Sequence, residues 1–172
     1  KLWTDMHSNI HHDQMEALPL WYEQIKKEMD FWPIAYYPFY MRPTSSGLAV
    51  EDRYEDELIE KDWEQVRQLA LQAEKEGFPM FMGYEWQGAG LDGDHNVFFL
   101  ENGEKQEHPM RYQELVEAYK GKPVIGIPHH VAYQLGSRGK NWETHDEKFS
   151  PFAEIYSSHG CSENDDGPLM MN

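Results

Sequence analysis

The chain of 172 residues contains a single cysteine, Cys161. One thiol cannot form an intramolecular disulfide, so nothing in the sequence indicates an oxidising compartment. Long apolar runs are also missing, and the run 78–82 is far too short to span a bilayer. The N-terminus lacks the basic and then apolar pattern of a leader peptide. These absences predict a cytoplasmic protein without a membrane-spanning segment.

Basic residues are scarce. The sequence has 15 Lys and Arg against 31 Asp and Glu, a formal net charge of -16. A surface of this sign repels phosphate backbones, so neither nucleic acid nor an anionic membrane is expected as the main partner. An acidic protein still binds an anionic substrate where bound cations reverse the local field. We therefore expect a small-molecule substrate, and the composition leaves the oligomeric state open.

The length suits one domain over residues 1–172, and no internal repeat is present. Apolar periodicity predicts helices over 15–29, 58–76 and 110–119. Short apolar runs predict strands over 30–37, 78–82, 95–100, 123–128 and 152–156, after an opening strand that ends within residues 4–13. Residues 38–56 show no period and predict a long loop. The alternation of strands and helices is typical of an α/β fold.

Ligand-type side chains lie at or just beyond the ends of four predicted strands. In the first, alternation directs Asp5, His7 and Asn9 to one face of an extended segment. The ends of parallel strands converge in space, which makes chance a poor explanation for four such sets. Imidazole and carboxylate groups suit Zn, Mn or Fe. The predicted metal ligands are His7, Asn9, Glu85, His95, His129 and His159.

Several of these segments resemble motifs of the PHP (polymerase and histidinol phosphatase) superfamily of metal-dependent phosphoesterases. Residues 5–9, Asp-Met-His-Ser-Asn, are similar to the first motif of the family, Asp-x-His-x-His. Residues 30–37 are similar to its second motif, residues 83–85 to its Gly-x-Glu motif, and residues 128–130 occupy the place of a His-Pro pair. His95 corresponds to a histidine that often follows Gly-x-Glu.

The chain also departs from this pattern. Asn9 stands in place of the second histidine of the first motif, and Ala35, Tyr36 and Tyr37 replace the Thr-Asp-His of the second. No final Asp-x-His motif follows His159. The resemblance implies a distorted (β/α)7 TIM-like barrel of PHP type, incomplete in this chain, with one or two divalent transition-metal ions instead of the three of a full site.

The function implied is a metal-dependent hydrolase, most directly a phosphoesterase that uses a metal-activated water. His159 or His130 is the expected general acid for the leaving group. Tyr36, Tyr37 and Trp86 are the expected substrate-binding residues, through hydrogen bonds or ring stacking.

Two other functions stay open at this point. The replaced second motif and the missing last one are compatible with a barrel that has lost catalysis and acts as a binding or regulatory module. The aromatic content of 14% is compatible with a metal hydrolase of carbohydrates or amides.

Overall fold

The computed structural model describes residues 1–88, 90–136, 138–157 and 159–163. Short 3-10 helices lie at His12–Ala17 and Trp142–Thr144. In these described parts the regular elements are β1 (Ser8–His11), α1 (Leu18–Glu28), β2 (Trp32–Tyr37), β3 (Phe39–Pro43), β4 (Ala49–Arg53), α2 (Asp56–Glu76), β5 (Met80–Gln87), β6 (Asp94–Phe99), α3 (Tyr112–Ala118), β7 (Val124–His129), β8 (Tyr156–Ser157) and β9 (Gly160–Cys161).

The main sheet has five strands in the order β1-β2-β5-β6-β7. The pairs β1–β2 and β2–β5 are parallel, whereas β6 and β7 are antiparallel. Among the described residues, β1 and β7 each pair with one strand of this sheet, so it closes no barrel. The predicted (β/α)7 TIM-like barrel is therefore wrong, and the fold is a mixed α/β arrangement with two small two-stranded sheets beside the main one.

The physical reason lies in the connections. A parallel barrel needs a crossover helix between successive strands, and such a crossover takes a dozen or more residues. The connection between β5 and β6, residues 88–93, is too short for one. The antiparallel pairing of β6 with β7 then breaks the all-parallel order that a barrel of this type requires.

The chain divides into two compact units, Lys1–Tyr84 and Glu85–Asn172, called here the N-terminal and C-terminal units. In the N-terminal unit, α2 buries one stripe of side chains against the core, with Val66 and Ala73 fully enclosed. Gly77 ends this helix in the left-handed conformation, with φ of 74°, as the sequence predicts for a glycine after the last turn. The prediction of a single domain over 1–172 stays a prediction.

Three segments of the chain differ from the expected secondary structure. The supposed loop 38–56 is a hairpin of β3 and β4, whose mostly exposed residues show no apolar alternation. The opening strand begins only at Ser8, because Leu2 and Trp3 are exposed and pack into no core. The strand expected over 152–156 is reduced to the short β8, which pairs with β9.

In the C-terminal unit, all six residues of β6 are buried. Gly126 of β7 leaves room for the ring of Phe149, since a Cβ at that glycine would lie only 2.4 Å from the ring. The ring of Phe149 in turn stacks on Tyr119, which follows α3. In neither unit does a described helix combine the length and the apolar character needed to cross a membrane.

Candidate metal centre

Glu85 and His129 form a buried acid–imidazole pair in the C-terminal unit. Glu85 lies near the end of β5 and His129 is the last residue of β7, with exposed fractions of 2% and 0%. Their facing atoms, Oε1 of Glu85 and Nε2 of His129, are 3.7 Å apart. That separation exceeds a hydrogen bond between such atoms. Two ligand atoms at 3.7 Å, each about 2.1 Å from a shared ion, subtend about 120° there, which is compatible with common coordination geometries.

The register of β6 on β7 decides which neighbours share the face of His129. Asp94 lies directly opposite His129, and His95 lies opposite Pro128. Directly opposed residues of an antiparallel pair point to the same side, so Asp94 accompanies His129 and His95 points to the other side. His95 accordingly stacks on Tyr112 at 4.8 Å between ring centroids. We therefore leave His95 out of the proposed metal centre.

Asp94 shares this face with His129 but was not predicted from the sequence. It is buried, and its Oδ2 lies 3.4 Å from Nη1 of Arg138. Strand alternation could have indicated it, because a strand that starts at residue 94 directs the side chains of residues 94 and 96 to the same face. The glycine-rich surroundings of Asp94 instead suggested a loop.

A second group of polar rings adjoins this pair. The ring of His130 lies 4.6 Å from that of His129 and 4.2 Å from that of His159. The hydroxyl of Tyr133 is 2.9 Å from Nδ1 of His159, and Oγ of Ser157 is 3.3 Å from Nδ1 of His130. The structure thus brings together His129, His130 and His159, all three of them named from the sequence.

The backbone at His130 is unusual. Its φ of 55° makes it the one non-glycine residue with positive φ among the described residues. A side chain in this region carries a conformational cost of about 1 kcal/mol or more, which persists only where the surroundings impose it. Such strain is concentrated at functional sites, and here it directs the imidazole of His130 toward His159.

His7 and Asn9 lie in the N-terminal unit in a local turn. The backbone N–H of His7 donates to Oδ1 of Asp5 at 2.8 Å, and the N–H of Asn9 donates to the carbonyl of His7 at 3.1 Å. His7 therefore precedes β1. The expectation that it sits at the carboxyl end of the first strand is wrong, since that strand starts at Ser8.

The three aromatic residues expected to contact substrate are engaged with protein groups. Tyr36 is fully buried and its hydroxyl donates to Oδ2 of Asp62 at 2.8 Å. The indole N–H of Trp86 donates to the carbonyl of Pro109 at 2.8 Å. Tyr37 is half-buried, and its hydroxyl contacts the carboxylate of Glu51. A substrate-binding role stays a prediction for all three.

Behind the sheet, on the side of His95, lies a buried lysine. Lys140 is 4% exposed, and its Nζ stands 3.5 Å from the centroid of the Tyr112 ring. Burial lowers the pKa of Lys140 to about 8, although the charge of Asp92 opposes this shift. Burial, followed by the charges of Lys140 and His129, also holds the pKa of His95 well below its ordinary range. His95 is therefore a neutral imidazole at physiological pH.

Lys140→Met is expected to raise the free energy of unfolding at neutral pH by about 1 to 2 kcal/mol, because it removes a charge that is poorly solvated in the folded state. The pKa of Lys140 is about 8 in the folded protein, below its ordinary value of 10.5. The charged lysine therefore destabilises the folded protein to its full extent below pH 8, and this destabilisation disappears as the pH rises toward 10. Urea unfolding on both sides of this window measures it. Lys120→Met, at an exposed position, serves as the control. A variant less stable than the parent at neutral pH contradicts the assignment.

No family model matches the sequence, and searches of curated proteins and of solved structures found no match either.

Proposed function

We propose that the protein is a metal-dependent hydrolase that cleaves phosphate esters. The observation that carries this proposal is the buried pair of Glu85 and His129, with its 3.7 Å separation between carboxylate oxygen and imidazole nitrogen. A buried carboxylate and a buried imidazole whose ligand atoms face each other can share a divalent cation, which compensates the cost of burying the acid. One carboxylate with one imidazole is a donor set that suits Zn, Mn or Fe.

In this proposal the third protein ligand is His7, as the sequence predicts, because a neutral imidazole is a common ligand of such ions. Three protein ligands leave a position for water or substrate, as catalytic sites of this kind require. Asn9 and His159 remain candidates for a weaker contact or for a second ion. When bound, such an ion supplies Lewis-acid chemistry, since it acidifies water and polarises a phosphoryl oxygen.

The residues around the pair have separate tasks. In this proposal His159 holds a proton for the leaving oxygen, and the hydroxyl of Tyr133 at 2.9 Å from its Nδ1 supports the role by orienting the ring. His130, between His129 and His159, is the alternative proton donor. Arg138 lies beside Asp94, with 3.4 Å between Nη1 and Oδ2, and its remaining N–H groups are suited to contact a phosphate oxygen.

The test combines metal content with turnover. Protein purified without chelator is expected to carry Zn, Mn or Fe, and to hydrolyse p-nitrophenyl phosphate or bis(p-nitrophenyl) phosphate in a chelator-sensitive manner. His129→Ala should lose both properties, whereas His108→Ala, in a segment outside the helices and strands, should keep them. A metal-free protein without turnover would point to a binding module. Activity on glycosides or amides, with none on phosphate esters, would leave the metal centre in place and overturn the substrate class.

A further inference from the structure

A second cluster of titratable side chains lies entirely within the N-terminal unit. Nδ1 of His12 is 2.8 Å from Oδ2 of Asp62, and the hydroxyl of Tyr36 donates to the same oxygen at 2.8 Å. Asp62 is 1% exposed, whereas His12 is half-buried. A buried carboxylate that receives two hydrogen bonds is well placed to hold a partially exposed imidazole in a single orientation.

The contact also sets the tautomer of His12. A carboxylate accepts hydrogen bonds and does not donate them, so the neutral imidazole places its proton on Nδ1. The other nitrogen, Nε2, then carries a lone pair and makes no hydrogen bond to any of the described residues. A carboxylate-oriented imidazole with its second nitrogen available is the arrangement of a general base.

The pair opens onto a cleft of about 560 Å³, which both His12 and Asp62 line. Besides a base, ester hydrolysis needs a group that stabilises the negative charge developing on the carbonyl oxygen. The lining of the cleft contains two such groups. Lys61 and Gln65 line the cleft from α2, four residues apart and therefore on one helical face. Their ammonium and carboxamide groups are suited to stabilise an oxyanion.

The remaining charges of the cleft select the substrate class. Asp13 and Glu16 line it as well, so carboxylates outnumber the single ammonium of Lys61. Such a field repels a phosphate or a carboxylate ligand. A neutral acyl compound carries no such penalty, and it meets both the base and the oxyanion donors.

We propose that His12, oriented by Asp62, is the catalytic base of a second hydrolytic site that acts on neutral esters. Nε2 of His12 takes a proton from a water molecule as the water oxygen forms a bond to the acyl carbon. The carbonyl electron pair moves onto oxygen, where Lys61 and Gln65 stabilise it. As the carbonyl re-forms, the bond to the alcohol oxygen breaks, and the proton on His12 returns to the leaving group or to solvent. The products are one carboxylic acid and one alcohol.

The probe is p-nitrophenyl acetate, measured with EDTA present so that a metal centre does not contribute. His12→Gln is expected to lower kcat/KM by about 100-fold, because general-base catalysis contributes at least that much. Asp62→Asn, which keeps the shape of the side chain, should lower it too. His11→Gln, next along the chain, should leave the rate unchanged, since His11 contacts Tyr37 and lies outside the cleft lining.

Long-range ¹H–¹⁵N spectra of the imidazoles provide the second measurement, which does not depend on turnover. His12 should show its proton on Nδ1 in the parent protein, and Asp62→Ala should abolish that preference, because it removes the acceptor, while thermal unfolding confirms a folded protein. Turnover no faster than that of free imidazole, equal rates in His12→Gln and parent, or a proton on Nε2 would each overturn the proposal. Loss of the phosphate-ester reaction alone would bear on the metal centre and leave this site untouched.

Discussion

Glu85→Gln is expected to lose tightly bound metal and to lower phosphate-ester turnover by about 100-fold or more. The substitution keeps the size of the side chain and removes only its charge and one acceptor oxygen. Because Glu85 is almost fully buried and faces His129 at 3.7 Å, the carboxylate supplies the negative charge that a divalent ion requires there. Elemental analysis of the purified variant, followed by steady-state kinetics with added Zn or Mn, measures both effects.

Glu117→Gln is the matched control. Glu117 is an exposed acid of α3 that forms an ion pair with Lys120, three residues further along the chain, at 3.0 Å. The same chemical change there should alter neither metal content nor turnover. If Glu85→Gln binds metal and turns over substrate as well as this control does, the metal centre is not at Glu85 and His129.

Asp92→Ala is expected to cost about 3 kcal/mol of folding free energy, because it leaves several donors without their acceptor. Asp92 is 1% exposed and accepts hydrogen bonds from Arg111 at 2.7 Å, from the backbone N–H of Tyr112 at 3.0 Å and from Asn141 at 3.1 Å. The carboxylate therefore ties the connection after β5 to the start of α3 and to the segment before Trp142. The midpoint of thermal unfolding should fall by roughly 10 °C.

We also expect the carboxylate of Asp92 to make folding stability depend on pH in the acid range. Burial raises the pKa of Asp92, but hydrogen bonds from Arg111, the Tyr112 N–H and Asn141 together lower it below its ordinary value. A carboxyl whose folded pKa is depressed contributes stability above its unfolded pKa, and this contribution is lost as the pH falls through the folded pKa. Urea unfolding at neutral pH and below about pH 4 should show the loss in the parent protein and a smaller one in Asp92→Asn.

Glu117→Ala is the control for Asp92→Ala, because it removes an exposed acid instead of a buried one. An exposed ion pair contributes about 0.5 kcal/mol or less, so this variant should unfold nearly as the parent does. If Asp92→Ala loses equally little stability, the four hydrogen bonds that the carboxylate accepts merely replace contacts with water.

Local elements were predictable where one periodicity dominates. The apolar stripe of α2 and the glycine after it place the helix within two residues of Asp56–Glu76. The continuous apolar run of β7 indicates a buried strand that ends at His129. The hairpin of β3 and β4 escaped prediction because its side chains are mostly exposed, so neither face carries an apolar signal.

In the candidate site, too, some residues were predictable from the sequence and others depend on the strand register. Glu85 and His129 were named from the sequence, because each follows a run that reads as a buried strand. His95 was named by the same rule, but a strand alternates its faces at every residue. A register in which Asp94 and not His95 opposes His129 directs that imidazole toward Tyr112.

By itself, the sequence determined the long helix α2 and the buried strands of the main sheet such as β5 and β7, that acidic residues prevail, and that histidines and one glutamate lie at or near the ends of buried strands. Tertiary structure alone decided that the sheet is mixed and not a closed barrel, because strand direction depends on how chain connections pack. It also decided that His12 meets Asp62 across 50 residues and that Glu85 faces His129, since hydrogen-bond partners far apart in the chain are chosen by packing and register, which no local pattern encodes.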